Sequence, residues 1–201
     1  MPRPFSEQER DVIRRQLRES AQRLFETRGL RKTSIDEIVR AAGISKGAFY
    51  LFYPSKEALC LDVLEGIEAE LRDTVLEQTL VKKGNARRRV GAILQSFLTS
   101  WEAYPLLRTF DQADYAYLVR RLAPEQARAH AARDDAFIEM FTQKLKREGL
   151  TVKASPRVVV NLLRSLFWVG LHRQDLGEAD YADTMTILTD LVAAHITGGA
   201  R

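Results

Sequence analysis

The chain has 201 residues, of which 45% are hydrophobic and 29% are charged, so it can bury a globular core. It has no apolar run near the roughly 20 residues of a membrane span, and no apolar stretch follows the first charged residues, which argues against a membrane partner and a secretory signal. The single cysteine, Cys60, cannot form an internal disulfide. We therefore expect a cytoplasmic protein.

The positive charge is concentrated near the N-terminus. Residues 1–55 contain 11 Lys and Arg against 7 Asp and Glu, whereas the remaining residues contain 20 of each. A basic segment joined to a neutral body favours a polyanionic partner for that segment. An ordinary solvated charged surface stays open as the alternative.

Helical patterns run through the whole chain, and strand patterns are nearly absent. Ser6, followed three residues later by Glu9, predicts a capping box at the start of the first helix. Gly29 predicts the end of that helix. Between them, apolar residues recur at helical spacing: Ile13, Leu17, Ala21, Leu24 and Phe25.

A second capping box, Ser34 with Glu37, predicts a short helix that ends at Gly43. Ser45 then predicts the N-cap of a third helix, which Pro54 ends. Three helices within about 50 residues predict a compact N-terminal module. The second and third helices are separated by a tight turn at Gly43, a residue type that tolerates positive φ.

Glycines and prolines divide the rest of the chain into further predicted helices. These cover residues 55–80, 86–103, 106–122, 124–147, 156–174 and 179–196. We therefore predict an all-α protein of about nine helices. Its two domains are a DNA-binding domain at residues 1–55, with a helix-turn-helix motif at about 34–53, and a second helical domain at 56–201.

The residues around the predicted turn indicate how the motif could bind DNA. Small residues at Gly47 and Ala48 allow close approach to the floor of a major groove. Lys46 can reach a base edge or a phosphate, and the Tyr50 hydroxyl can reach a phosphate. A helical corner that binds no nucleic acid is the alternative interpretation.

The segment from about residue 11 to 60 resembles the DNA-binding domain of TetR-type regulators. The resemblance rests on Ala21, Phe25, Gly29, Thr33-Ser34, Ile38, Ala42-Gly43-Ile44-Ser45, Gly47, Phe49-Tyr50 and Ser55-Lys56-Glu57-Ala58-Leu59. It implies an all-helical homodimer that binds operator DNA, with phosphate contacts from Thr33, Tyr50 and Lys56 and base contacts from residues 45–48. The predicted DNA-binding residues are Thr33, Ser34, Ser45, Lys46, Gly47, Ala48, Tyr50, Leu51, Tyr53 and Lys56.

The segment departs from the family pattern at Phe52, where the family usually has a histidine that contacts phosphate. Tyr53, the next residue, can either supply a hydroxyl nearby or fill the core. Both roles of Tyr53 stay open at the level of sequence.

Dimerisation is predicted for the last two helices. The helix predicted at 156–174 is apolar around much of its circumference, so one face is free for a partner, unless the helix is simply central and fully buried. Paired with its symmetry mate, it would form a four-helix bundle with the helix at 179–196. The predicted interface residues are Leu162, Leu166, Leu188, Leu191 and Val192.

A sensor pocket is predicted from the aromatic residues in the middle of the chain. Rings make stiff apolar walls, and a few polar side chains can anchor a guest. The predicted ligand-binding residues are Trp101, Tyr104, Phe110, Tyr115, Phe137, Phe141, Asn161, Arg164, Phe167 and Trp168. For Arg164, a ligand carboxylate and a neighbouring aspartate are both possible partners. The predicted effector is an unidentified lipophilic small molecule.

The sequence contains no metal-ligand spacing, phosphate loop or nucleophile motif, so we predict no cofactor, metal or enzymatic activity. The predicted function is a ligand-responsive repressor that the effector releases from its operator. Two alternatives remain. One is a regulator that senses oxidants through Cys60, and the other is a helical enzyme or ligand-binding protein with a vestigial DNA-binding module.

Overall fold

The computed structural model describes residues 5–81, 84–150 and 152–198, and this part of the chain is nearly all helical, as predicted. Eleven α-helices lie within it, and none of them is long and apolar enough to cross a membrane. The helices are α1 (Glu7–Arg28), α2 (Ile35–Ala42), α3 (Lys46–Phe49), α4 (Lys56–Val81), α5 (Ala86–Ala103), α6 (Pro105–Thr109), α7 (Gln112–Arg121), α8 (Pro124–Arg147), α9 (Pro156–Leu171), α10 (Arg173–Leu176) and α11 (Glu178–Thr197).

The number of helices exceeds the predicted nine because two predicted helices are interrupted. The segment 106–122 breaks after α6, where the Asp111 side chain accepts a hydrogen bond from the Asp114 amide and starts α7. The segment 156–174 breaks at His172, which ends α9 and precedes the four-residue α10. A short polar side chain that caps a new helix competes with continuation of the old one.

The helices fall into two compact units. Unit 1 comprises the chain up to Glu68 together with Pro105–Ala127, and unit 2 comprises Ala69–Tyr104 together with the chain from Arg128. Unit 1 therefore contains the three helices of the predicted N-terminal module and also α6 and α7. Its largest fully buried apolar side chains are Leu17, Phe25, Leu30, Ile38, Phe49, Leu59 and Leu106.

Unit 2 is built around α5, α9 and α11. α5 packs against α11 at Gly91 and Ala193, where a Cβ on residue 91 would make an ordinary van der Waals contact of 3.6 Å with the Ala193 Cβ. The buried cluster of this unit is Val90, Ile93, Leu94, Phe141, Leu145, Leu150, Val159, Leu166, Tyr181, Met185, Val192, Ala193 and Ile196.

Candidate nucleic-acid interface

The turn between α2 and α3 is closed by local interactions that the sequence predicts. Gly43 has φ of 69°, in the left-handed region, and the Ile44 amide donates a 3.0 Å hydrogen bond to the Val39 carbonyl. Two residues later, the Ser45 side chain accepts a 3.1 Å hydrogen bond from the Ala48 amide and starts α3. The predicted helix-turn-helix geometry is therefore present, although regular helix in α3 ends at Phe49.

The start of α3 and the residues just after it form an exposed surface. Ser45, Lys46 and Gly47 are exposed, and Ala48 is half-buried. Tyr50 and Leu51 are 52% and 61% exposed. We call residues Ser45–Ala48, Tyr50 and Leu51 the α3 surface.

Lys46 is held loosely on this surface. Its ammonium lies 3.0 Å from the Asp36 carboxylate, and both side chains are more than half exposed. An exposed ion pair contributes little to stability, so Lys46 can leave Asp36 for a stronger anionic partner. Ser34 is also exposed, but its hydroxyl is bound to Glu37 in the capping box of α2.

Two residues with predicted phosphate contacts have their side chains engaged inside unit 1. Thr33 is buried, and its hydroxyl donates a 2.9 Å hydrogen bond to the Gly29 carbonyl. The Lys56 ammonium donates to the carbonyls of Leu30, Arg31 and Thr33 at 2.9, 3.3 and 2.6 Å. Burial lowers the pKa of Lys56. The three carbonyl acceptors match the three N–H donors of its ammonium, so each donor has a partner.

Tyr53 fills the core and does not supply an exposed hydroxyl. The side chain is buried, and its hydroxyl donates a 2.5 Å hydrogen bond to the Asp62 carboxylate. Burial, followed by this hydrogen bond, raises the pKa of Tyr53. The predicted DNA contact by Tyr53 is thus at odds with its position, because the ring packs near the Phe49 ring at 6.1 Å.

The sequence did not predict a group of polar contacts that joins α7 to the turn between α1 and α2 and to α4. Arg31 donates a 2.9 Å hydrogen bond to Asp114, whose pKa is raised by burial. The Tyr117 hydroxyl donates a 2.9 Å hydrogen bond to the buried Glu57. These partners are 83 and 60 residues apart in the chain, so no local pattern could have paired them.

Cys60 has the environment of a structural thiol. Its side chain is fully buried in α4, and burial raises its pKa, with the neighbouring Asp114 and Glu57 carboxylates acting in the same direction. Oxidant sensing requires an exposed thiol with thiolate character. The surroundings of Cys60 therefore weigh against the thiol-sensing alternative.

The five predicted interface residues in α9 and α11 do not share one face. Leu166 and Val192 are buried in the core of unit 2, and Leu162 and Leu188 pack against that core. Leu191 is 58% exposed. An apolar helix can turn several faces inward, so apolarity alone does not separate core positions from surface positions.

Both helices also carry exposed apolar side chains that were not among the predicted interface residues. Ile187 lies one turn before Leu191 on α11 and is 60% exposed, and Val158 and Trp168 are exposed on α9. We call Val158, Trp168, Ile187 and Leu191 the α9–α11 patch. Exposed apolar side chains on these two helices make them candidates for a contact with another protein.

The predicted ligand-binding residues are divided between the two units. Phe110, which is buried, and Tyr115, which is half-buried, belong to unit 1. In unit 2 the rings of Phe137 and Phe141 stack at 6.1 Å, and the Tyr104 hydroxyl donates to Glu70. The Trp101 side chain lies outside the described residues.

Three of the predicted ligand-binding residues on α9 are exposed. Asn161, Arg164 and Trp168 point away from the core of unit 2, and only Phe167, which contacts Trp168 edge-on at 6.0 Å, is half-buried. Arg164 forms a 2.8 Å ion pair with Asp135, the second of its two possible roles. The predicted polar anchors are thus on the solvent side of α9, because their spacing places them opposite Val159 and Leu166.

A different cavity, of about 470 Å³, lies in unit 2 between α5 and α11. An ion pair between Arg87 and Asp190 contributes to its wall. None of the ten predicted ligand-binding residues lines it. Its lining residues are Asn85, Arg87, Arg88, Gly91, Ala92, Gln95, Thr186, Thr189 and Asp190.

Comparison with known proteins is most specific for the N-terminal helices. The family model described as bacterial regulatory proteins, tetR family, matches residues 17–63. The HTH-type transcriptional regulator YuxN of Bacillus subtilis is 52% identical over 46 residues, which make up 23% of this chain and 16% of YuxN. The chain thus matches less than a fifth of the length of that relative.

Two solved structures extend the likeness to the whole fold. A TetR-family transcriptional regulator from Pectobacterium atrosepticum superposes with a TM-score of 0.69 at 21% identity, over 98% of this chain and 100% of the other. FadR of Thermus thermophilus, a TetR-family repressor solved in complex with lauroyl-CoA, superposes with a TM-score of 0.65 at 25% identity, over 91% of this chain and 94% of FadR.

Proposed function

Because this chain belongs to the TetR family through its N-terminal helices, we propose that it is a dimeric repressor that binds operator DNA through the α3 surface and is released by a small molecule. In this proposal residues 1–55 form the DNA-binding domain and residues 56–201 sense the effector and dimerise. Cytoplasmic location follows from the proposed function.

The single observation that carries the proposal is the α3 surface. A short helix whose N-cap is Ser45 presents Lys46 and Gly47 to solvent, with no bulky side chain between the backbone and an approaching groove. A major groove is about 12 Å wide and admits one helix. Lys46 is then positioned to donate to a guanine edge or a phosphate, and the exposed Tyr50 hydroxyl to donate to a phosphate.

Dimerisation is proposed through the α9–α11 patch. Two copies of an exposed apolar face bury each other in a symmetric interface, and symmetric dimers place two DNA-binding domains on successive major grooves. This version of the interface uses Ile187, Leu191 and Trp168, and it leaves Leu166 and Val192 in the core of each subunit.

The effector is proposed to be lipophilic and acyl-chained. Support comes from the likeness to FadR, whose structure was solved in complex with lauroyl-CoA. A ligand that binds one conformation of the dimer better shifts the population towards it, and release follows if that conformation separates the two α3 surfaces.

The first prediction tests DNA binding directly. A duplex selected by the wild-type protein from a random-sequence library should bind about tenfold or more weakly to Lys46→Ala, because a lost base or phosphate contact costs about 1–3 kcal/mol. Tyr50→Phe should weaken binding less, because only a hydroxyl is removed. Gel-shift titration measures both.

The control is Lys146→Ala, which removes the same charge from an exposed position on α8. Its affinity should equal that of the wild type, and thermal melting should show all three variants folded. Unchanged affinity in both Lys46→Ala and Tyr50→Phe would mean that the α3 surface does not contact DNA.

The second prediction tests the effector. Adding lauroyl-CoA to the preformed complex should release the duplex, and the same concentration of free coenzyme A should not, because the acyl chain supplies the apolar contact. Fluorescence anisotropy of a labelled duplex reports release. Equal responses to both compounds, or no response to either, would contradict an acyl-chained effector.

A further inference from the structure

The first turn of α1 packs beside the end of the α3 surface, through the ring of Phe52. The Phe52 amide donates a 2.9 Å hydrogen bond to the Phe49 carbonyl, so this residue is fixed directly after α3. The Phe5 ring lies 6.0 Å from the Phe52 ring, and the Arg10 guanidinium carbon lies 5.2 Å from the centroid of that ring. Phe52 therefore holds an arginine of another helix next to α3.

Arg10 begins a row of three arginines that lie four residues apart on one side of α1. Arg14 lies 3.9 Å from Asp11, and Arg18 lies 3.7 Å from Asp62. Arg10 has no carboxylate within ion-pair distance among residues 5–81, 84–150 and 152–198, and its side chain contacts the Phe52 ring instead. Its positive charge is thus not neutralised within the described protein.

We propose that Arg10 binds a DNA phosphate beside the groove that receives α3, and that Phe52 positions it there. The inference rests on the proposed function. The Arg10 guanidinium, which is half-buried, is held over the Phe52 ring by a cation–π contact. Its N–H donors lie in the guanidinium plane, and they stay available for the bidentate bonds that phosphate accepts.

The position of Arg10 favours a phosphate over a base edge. A helix inside a major groove has a sugar-phosphate backbone on each side, and only side chains on that helix or its flanks reach the base edges. Arg10 projects from a different helix and contacts the ring of Phe52, the residue that follows exposed Leu51 in the chain. Phe52 itself carries no group that can bind a phosphate.

The test measures the salt dependence of binding to the duplex selected by the wild-type protein. Each phosphate contact adds about 0.9 to the slope of log K against log salt, so Arg10→Ala should lower the slope of a dimer by about 1.8. The control is Arg15→Ala, which removes an exposed arginine about 140° around the same helix, and it should keep the wild-type slope.

A second variant tests the positioning role of Phe52. Phe52→Leu keeps an apolar side chain but removes the aromatic face, so the slope of log K against log salt should fall by part of the amount expected for Arg10→Ala. The double variant with Arg10→Ala should have the same slope as Arg10→Ala alone. Arg10→Lys keeps the charge and should retain most of the slope. Circular dichroism melting verifies that each variant is folded.

The outcomes separate this inference from the proposed function. If the wild-type protein selects no duplex, the proposed function fails and this inference fails with it. If the wild type binds and Arg10→Ala keeps its slope, only the phosphate contact is overturned. A change of sequence preference at one base pair with an unchanged slope would identify Arg10 as a base contact and would also overturn it.

Discussion

Leu191→Asp should convert the protein into a monomer and abolish tight operator binding. Leu191 is exposed in the single chain, so a charge there leaves the core of unit 2 intact and changes folding stability by only about 0.5 kcal/mol. In a symmetric dimer the same charge occurs twice and is buried without a partner. We estimate a penalty of about 3 kcal/mol for each copy, or about 6 kcal/mol for the dimer, which weakens dimerisation by about ten-thousandfold.

Loss of the dimer should also weaken DNA binding, because in a dimer the second subunit binds DNA at a high effective concentration once the first is bound. Losing that linkage lowers operator affinity by about a hundredfold or more without touching the α3 surface. Light scattering should give the monomer mass of 22.9 kDa for Leu191→Asp and twice that mass for the wild type. Gel-shift titration of the selected duplex measures the loss of affinity.

The matched control is Val119→Asp, which places the same charge on an exposed apolar residue of α7 in unit 1. It should stay dimeric and bind the duplex normally. Leu166→Asp would not be a fair test, because a buried charge would unfold unit 2. A dimeric Leu191→Asp protein would place the interface elsewhere.

Features that depend on residues close together in the chain were predictable from the sequence. The capping boxes at Ser6 and Ser34, the left-handed glycine at position 43 and the cap at Ser45 are all present. Each is closed by atoms within about four residues, so residue type and spacing determine it. The helix-turn-helix, which is a sum of such local rules, was therefore predictable.

Features that depend on which face of a helix turns inward were not predictable. The sequence grouped Leu166 and Val192 with Leu191, whereas the first two are buried and the third is exposed. Apolar residues surround much of α9, so the sequence pattern predicts the helix but does not show which of its faces turns towards the core. The same limit explains why Asn161 and Arg164 were predicted as pocket anchors and lie on the solvent side.

Lys56→Met should destabilise the protein, because Lys56 holds the turn between α1 and α2. Its ammonium donates to three backbone carbonyls in that turn and lies 5.6 Å from the centroid of the Tyr117 ring. Methionine keeps an apolar stem of similar length but has no donor, so the half-buried carbonyls lose their partner. Hydrogen bonds to a charged group contribute about 1.5–3 kcal/mol each and do not add fully.

We expect a loss of about 3 kcal/mol in the free energy of unfolding, or a fall in Tm of roughly 6–12 °C for a chain of this size. Calorimetry measures the change. The matched control is Lys32→Met, which removes an exposed lysine from the same turn and should leave Tm within about 2 °C of the wild-type value.

The same variant distinguishes a structural role of Lys56 from the phosphate contact implied by the family resemblance. If the ammonium stays with the carbonyls in the complex, DNA binding measured well below Tm should keep its salt slope. If Lys56 instead leaves the turn for a phosphate in the complex, the slope of the dimer should fall by about 1.8 in addition to the loss of Tm. The close match between three donors and three acceptors favours the first outcome, with the stability of the DNA-binding domain as the function of Lys56.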